Sequence, residues 1–132
     1  MSNPEKEFER LEKRFFDEWV ERNPLLGTSF GLHKYDDRMP DGRPQKDEDD
    51  VRFLRRSLEE FEAVNPKGLS PTRQVDRELA VHTLRLWLFE REELRLGEIN
   101  PEAPHVVGRA LFQILSRHYA PLKERLRSLY KR

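Results

Sequence analysis

The sequence predicts an all-α fold: an irregular antiparallel bundle of about four to five helices with one long loop over residues 31–45. Apolar residues recur every three or four positions along several segments, which is the spacing of one helix face. No segment shows the alternation of apolar and polar residues that is typical of strands. Proline and glycine cluster between the periodic segments, where they interrupt helices. The 132 residues are therefore expected to form a single helical domain, residues 1–132.

The first predicted helix runs from about Pro4 to Arg22. Asn3 is placed to cap it, and Pro4 takes the first-turn position, where a missing N–H costs nothing. Asn23 precedes Pro24 and ends the helix, because the residue before a proline is pushed out of the helical region. The apolar stripe comprises Phe8, Leu11, Phe15, Phe16, Trp19 and Val20.

The next segment divides into a short helix, a loop and a second long helix. The short helix runs from Pro24 to Phe30 and is closed by Gly31, and the loop with its prolines and glycines follows. The second long helix is predicted from about Lys46 to Val64, with an acidic first turn that the helix dipole favours. The acidic residues are Asp47, Glu48, Asp49 and Asp50, and the buried stripe is Val51, Leu54, Leu58 and Phe61.

The third predicted helix, from about Pro71 to Leu96, is the longest and most apolar. Ser70 precedes it as a cap, and Gly97 ends it. Apolar residues lie on two of its sides, which predicts a central position with both sides packed. One side comprises Val75, Leu79, His82, Leu86 and Phe89, and the other comprises Leu84, Trp87, Leu88 and Leu94.

The fourth helix is predicted from about His105 to Tyr119, before Pro121 interrupts the pattern. A stripe of Leu122, Leu126 and Leu129 then continues to the end of the given sequence without a capping residue. This unfinished stripe predicts that the chain is the N-terminal fragment of a larger helical protein.

Composition narrows the classes of function. The chain has 25 Lys and Arg against 25 Asp and Glu, and its net charge of zero argues against a nucleic-acid binder. It contains no cysteine, which excludes disulfides, thiolate metal sites and thiol nucleophiles. No apolar run approaches the ~20 residues of a membrane span and no signal-peptide pattern opens the chain, so a cytoplasmic location without membrane contact is expected. Residues 109–132 are locally basic and are expected to dock onto an acidic protein surface.

The histidines show no metal-site spacing. None has a second histidine three to five residues away and no His-Glu-x-x-His occurs, so no metal site and no cofactor are assigned to this chain. His82 lies on an apolar helix face and is interpreted as a core or interface histidine, whereas His105 and His118 are expected at the surface. Motifs for activated serine nucleophiles and phosphate-binding loops are also absent, and no catalytic residue is assigned.

The loop over residues 31–42 holds the densest set of polar side chains. Its aspartates can satisfy backbone N–H groups in turns, as aspartate commonly does. They can instead contact a partner, line a substrate cleft or hold a divalent cation, although their spacing does not match a calcium loop. These interpretations stay open at the level of sequence. The candidate cleft or structural residues are His33, Tyr35, Asp36, Asp37, Arg38 and Asp41.

Several segments resemble the bacterial family called domain of unknown function 885. The runs from Phe15 to Pro24 and from Gly27 to Asp41 are similar to the N-terminal signature of that family. Two later segments agree, Leu69-Ser70-Pro71 before Val75-Asp76-Arg77-Glu78-Leu79, and Asn100-Pro101 before His118-Tyr119-Ala120-Pro121. The positions that match the early motif are Asn23, Pro24, Thr28, Gly31, His33, Tyr35, Asp36, Asp37 and Asp41.

The resemblance implies a helical protein several times this length, similar to zinc-dependent peptidases of the His-Glu-x-x-His kind. It implies zinc ligands and a catalytic glutamate downstream of this chain, so zinc is expected only in a longer parent protein, with metal-assisted amide hydrolysis as the reaction. The first hypothesis is therefore an N-terminal segment without activity alone, which forms a wall or lid over the cleft and has the remainder of the polypeptide as its partner. The alternative is a freestanding helical interaction module that self-associates through exposed stripes.

Overall fold

The structure is a computed structural model that describes residues 3–132, except for the side chain of Ala103. Helices and turns make up its regular structure, and residues 3–132 contain no strand, which confirms the all-α prediction. The α-helices are α1 (Pro4–Arg22), α2 (Pro24–Ser29), α3 (Pro44–Ala63), α4 (Pro71–Glu92), α5 (Leu96–Ile99), α6 (Ala103–Ser116) and α7 (Leu122–Lys131). Short 3₁₀ turns lie at His33–Tyr35 and Pro66–Gly68.

The helix starts follow local signals in the sequence. The Asn3 side chain accepts a hydrogen bond from the backbone N–H of Glu5 at 3.0 Å, which confirms the predicted cap of α1. Pro24, Pro44 and Pro71 each stand at the beginning of a helix, where the missing N–H has no partner to lose. The predicted loop over residues 31–45 ends two residues earlier than expected, because α3 already begins at Pro44. The loop also contains a 3₁₀ turn.

The chain forms two compact units. The first consists, among the described residues, of 3–17 and 42–99, and the second of 18–41 and 100–132. The described residues contain seven α-helices rather than four to five, because the end of the predicted third helix forms the separate helix α5 and because α2 and the segment after Pro121 are each a helix of their own.

The first unit is built on aromatic packing between α1 and α3. The Phe15 and Phe53 rings stack with their centroids 5.6 Å apart, and the Phe8 ring meets Phe61 edge-on at 6.0 Å. Phe8 and Phe61 are buried, as the predicted stripes require, and Phe53 is buried although the predicted stripe of this helix did not include it.

Helices α3 and α4 form an antiparallel hairpin in this unit. Arg85 of α4 binds Glu62 of α3 at 2.5 Å, and further along α4 Glu92 accepts from Arg55 at 2.5 Å. Residue numbers therefore increase along α4 in the direction in which they decrease along α3. The two helices are antiparallel, which agrees with the predicted arrangement for this pair.

Helix α4 differs from the prediction in its packing and in its end. Its buried residues are Val81, Leu84 and Leu88, whereas the other predicted apolar side is exposed to solvent within the described chain. The helix ends at Glu92, because Arg95 takes the left-handed conformation with φ of 50°. Gly97, the predicted terminator, lies inside α5.

The second unit contains α2, α6, α7 and the end of α1. Its most buried apolar side chains include Val20, Tyr35, Ala110 and Ile114. Pro121 separates α6 from α7, as predicted, and α6 ends at Ser116, three residues before the predicted end. Across residues 3–132, no helix combines the length and the apolar character that crossing a membrane requires.

Candidate functional site

The loop that follows α2 is shaped by backbone hydrogen bonds. Gly31 adopts a φ of 81°, a left-handed conformation that glycine takes without steric cost. The Leu32 N–H then donates to the Gly27 carbonyl at 2.8 Å, and the 3₁₀ turn His33–Tyr35 follows. The turn directs Tyr35 and Asp36 into the second unit, where both side chains are buried.

Asp36 is a buried carboxylate with 2% of its surface exposed. One of its oxygens, Oδ2, lies 3.0 Å from Nδ1 of His33, so the acid holds one edge of the imidazole. Its other oxygen, Oδ1, is buried and has no hydrogen-bond partner. The His33 ring is also stacked on Tyr119 with centroids 3.7 Å apart and an interplanar angle of 9°. The histidine is therefore fixed by one polar contact and one ring contact.

Burial and the neighbouring acid set the charge state of Tyr119. Desolvation, followed by the adjacent Asp36, raises the pKa of Tyr119 to about 12. Its hydroxyl is buried, and its interaction with the Asp36 side chain contributes to the higher pKa. Burial also lowers the pKa of Arg132, against the opposing influence of Asp36 and Tyr119. Asp36, Tyr119 and Arg132 are thus coupled electrostatically inside one cluster.

Arg132 connects three parts of the second unit. Its Nη2 donates to the Thr28 hydroxyl at 2.5 Å and to the Tyr35 carbonyl at 3.0 Å, and its Nη1 donates to the Ala110 carbonyl at 3.2 Å. Thr28 is itself buried, with 2% exposure. The guanidinium therefore ties α2, the loop and α6 to the end of α7.

Tyr35 explains why a glycine precedes the loop. A Cβ atom at Gly27 would lie 2.4 Å from Cδ2 of Tyr35, closer than real Cβ atoms approach. The other sides of the ring face two cations, Lys34 at 4.7 Å and Arg38 at 5.3 Å from the centroid. The ring is thus enclosed by backbone on one side and by charge on the other.

Arg38 makes a surface contact. Its Nη1 donates to Oε1 of Glu21 at 2.5 Å, and this hydrogen bond is the main reason that the pKa of Glu21 is lowered. Asp37 and Asp41, the remaining candidate residues, are exposed. The structure therefore brings His33, Tyr35 and Asp36 into the cluster and leaves Asp37, Arg38 and Asp41 at the surface around it.

The candidate residues do not form a metal site. Among residues 3–132 there is no group of three or more His, Asp or Glu side chains arranged to hold a metal ion. Within the loop, His33 and Asp36 contact each other, and a pair is too few for a zinc site, which takes at least three protein ligands. The residues described here therefore do not fit the zinc that the resemblance implies, and its ligands would have to lie elsewhere.

The sequence interpretation missed the arginines of the cluster. Residues 109–132 were expected to present a basic surface, but Arg125 is buried and donates to the carbonyls of Ala120, Ile114 and Leu115 at 3.0, 3.3 and 2.6 Å. Arg117 likewise donates to two carbonyls at the end of α2. The sequence signal was available in part, because Arg125 lies on the same helical side as Leu122 and Leu129, whereas the contacts of Arg132 depend on tertiary structure.

The remaining histidines lie away from the cluster's contacts. His82 is exposed within the described chain, so the core interpretation of this residue is wrong and the interface interpretation stays a prediction. His105 and His118 are exposed, as predicted.

A family model described as "Bacterial protein of unknown function (DUF885)" matches residues 24–132. The chain belongs to this family. The match begins at Pro24, the first residue of α2, and covers the loop and every arginine of the cluster. No curated protein and no solved structure matches the chain. Membership in DUF885 therefore identifies a bacterial family whose function is uncharacterised.

Proposed function

We propose that this chain is a helical segment, without catalytic activity of its own, of a larger metal-dependent peptidase-like protein. The metal-dependent peptidase part of the proposal rests on the family resemblance. The observation that carries the larger protein is the exposed apolar side of α4, where Val75, Leu79, Leu86 and Phe89 are each about half exposed or more. Contiguous apolar surface on a folded chain is typical of a site that another protein element covers. A segment of a larger helical protein accounts for such a surface, because further helices would pack on it.

The polar cluster of the second unit supports a structural role for the motif loop. Asp36, Tyr35 and Thr28 are buried, and their polar groups contact residues of the same unit. A loop held in this way can form a firm wall beside a cleft. Its exposed residues, Asp37 and Asp41, would then face the substrate side.

The proposal is tested by comparing the 132-residue chain with a longer protein expressed from the same gene. The longer protein should hydrolyse peptides and lose that activity when a chelator removes its metal, whereas the 132-residue chain should be inactive under both conditions. Peptide cleavage by the 132-residue chain alone, or full activity of the longer protein after chelation with metal loss verified by elemental analysis, would contradict the proposal.

A second candidate function is a freestanding module that self-associates. The same exposed side of α4 favours it, because two copies could cover each other's apolar surface. Light scattering separates the two candidates. A discrete dimer of the 132-residue chain would favour the module, and concentration-dependent association without a defined size would favour the segment of a larger protein.

A further inference from the structure

The exposed side of α4 has the spacing of a coiled-coil seam. Val75, Leu79, His82, Leu86 and Phe89 follow one another at intervals of four, three, four and three residues. The exposed fractions of the four apolar side chains are 62%, 64%, 53% and 49% in chain order, and His82 is exposed as well. Alternating intervals of this kind keep one stripe of a helix facing a partner helix.

The seam lies opposite the side of α4 that is already packed. Val81, Leu84 and Leu88 are buried, and the ion pairs of α4 with α3 involve Arg85 and Arg91. Beside the seam lies a groove of about 310 Å³ between α1 and α4. Leu79 belongs to both the seam and the groove, so an occupant of the seam could extend side chains into the groove.

The positions that flank the seam are acidic. Asp76, Glu78, Glu90 and Glu92 occupy four of the six flanking positions beside the seam residues, and Thr83 and Arg85 occupy the others. Three of these charges are already paired within the chain: Arg85 with Glu62 of α3 at 2.5 Å, Glu92 with Arg55 of α3 at 2.5 Å, and Asp76 with Arg73 at 3.5 Å. Glu12 in the neighbouring groove is likewise paired, with Arg73 at 2.6 Å. Glu78 and Glu90 are therefore the flanking acids that present negative charge to an incoming helix.

We infer that the α4 seam, Val75 to Phe89, docks one amphipathic helix of a partner segment that carries apolar residues at heptad spacing and lysine or arginine at its flanking positions. Such a helix would cover the apolar stripe and would place cations beside Glu78 and Glu90. The inference rests on the proposed function in one respect: both require that another element covers this side of α4.

A second copy of α4 does not have this chemistry. Antiparallel pairing of two α4 helices would bring Glu78 near Glu92 of the other copy, and Asp76 near Glu90 of the other copy. Like charges across a helix pair are unfavourable. In a parallel pair, the attraction between flanking residues would have to come from Arg85, which already forms an ion pair with Glu62. The charge pattern therefore favours a different helix.

The test uses two synthetic helical peptides of about three heptads with leucine at the seam positions. One carries lysine at every flanking position, and the other carries glutamate there. Binding to the 132-residue chain is measured by fluorescence anisotropy at low salt. The lysine peptide should bind at least about ten-fold more tightly than the glutamate peptide, because its flanking charges oppose those of α4.

Charge-reversed variants identify the surface. The double variant Glu78→Lys, Glu90→Lys should reverse the preference between the two peptides. The matched control Glu48→Lys, Glu59→Lys changes the net charge equally at exposed positions of α3 and should keep the preference of the unmodified chain. Circular dichroism verifies that both variants retain their helix content.

Three results would overturn the inference: equal binding of both peptides, loss of the preference in the control variant, or a discrete dimer of the chain that occupies the seam by itself. Failure of the proposed function is distinguishable. If the lysine peptide binds as expected and the longer protein has no chelator-sensitive peptidase activity, only the proposed function fails. If neither peptide binds and the longer protein is such a peptidase, only the docking inference fails.

Discussion

At the scale of single residues, the polar cluster of the second unit, formed by His33, Asp36, Tyr119 and Arg132, combines burial with electrostatic coupling. Oδ1 of Asp36, the hydroxyl of Tyr119 and Nε of Arg132 are all buried, and the Asp36 side chain interacts with the Tyr119 hydroxyl. Each buried polar group without a hydrogen bond costs about 1–3 kcal/mol. The charge of Asp36 offsets part of that cost through its attraction to Arg132. Removal of the acid should therefore affect the titration of its neighbours.

The titration of Tyr119 tests this coupling. Its pKa is raised from an ordinary 10.0 to about 12, so the neutral phenol contributes stability that is complete below pH 10 and is lost as the pH rises toward 12. The absorbance titration of the chain minus that of Tyr119→Phe should show one tyrosine with a pKa near 12. In Asp36→Asn this pKa should fall part of the way toward its ordinary value, because burial, the larger cause, persists. An unchanged value in Asp36→Asn would contradict the contact between the two side chains.

Gly27 and Gly108 form a matched pair for substitution by alanine. A Cβ at Gly27 meets the Tyr35 ring at 2.4 Å, so Gly27→Ala should lower the free energy of unfolding by roughly 1–3 kcal/mol. A Cβ at Gly108, within α6, meets nothing within 4 Å, so Gly108→Ala should raise it by roughly 0.5–1 kcal/mol. Urea unfolding of both variants measures the two values. Equal effects of the same sign would show that the Tyr35 contact is not close.

The sequence predicted only part of this cluster, for a physical reason. His33, Tyr35 and Asp36 stood out because a polar run in a loop is visible along the chain. Arg132 contacts Thr28 across more than a hundred positions, and nothing local distinguishes it from the exposed Lys131. Which charged residues are buried depends on long-range packing, whereas which residues form a turn depends on their neighbours.

At the scale of elements, helix starts were predictable and helix faces were not. The first helix was predicted at its observed bounds, Pro4–Arg22, because asparagine and proline act locally at both ends. Helix α4 carries two apolar stripes with the same period, so its pattern could not tell which stripe packs on α3. Its end was also mispredicted, because the left-handed turn at Arg95 is not a conformation that arginine favours intrinsically.

The arginine that caps α6 provides a test at this scale. Arg125 donates to the carbonyls of Ile114 and Leu115 in the last turn of α6, where carbonyl groups lack partners within the helix. Arg125→Met should lower the free energy of unfolding by roughly 2–3 kcal/mol, because methionine fills space but donates no hydrogen bond. Arg127→Met, at an exposed position of the same helix α7, should change it by less than about 0.5 kcal/mol. Thermal and urea unfolding would contradict the capping role if both variants behaved alike.

At the scale of the whole molecule, charged residues contribute less to stability than buried apolar residues do. Acidic and basic residues are balanced at 25 each, so net repulsion does not keep copies of the chain apart. Many ion pairs are exposed, such as Lys13 with Asp17, and exposed pairs contribute only about 0–1 kcal/mol each. Stability therefore depends mainly on a small set of buried apolar residues, while other large apolar residues on α4 are exposed within the described chain.

Lysine substitutions on the two sides of α4 separate folding from association. Leu79 and Leu86 are 64% and 53% exposed, so Leu79→Lys with Leu86→Lys should leave the free energy of unfolding within about 1 kcal/mol and should reduce the concentration-dependent light scattering of the 132-residue chain. Leu84 is 1% exposed, and Leu84→Lys should destabilise the chain by more than about 3 kcal/mol, because it places a charge in the core of the first unit. Scattering that is unchanged in the double variant would show that α4 is not the associating surface. Loss of helix content in the double variant would show instead that this side of α4 is packed when the chain folds in solution.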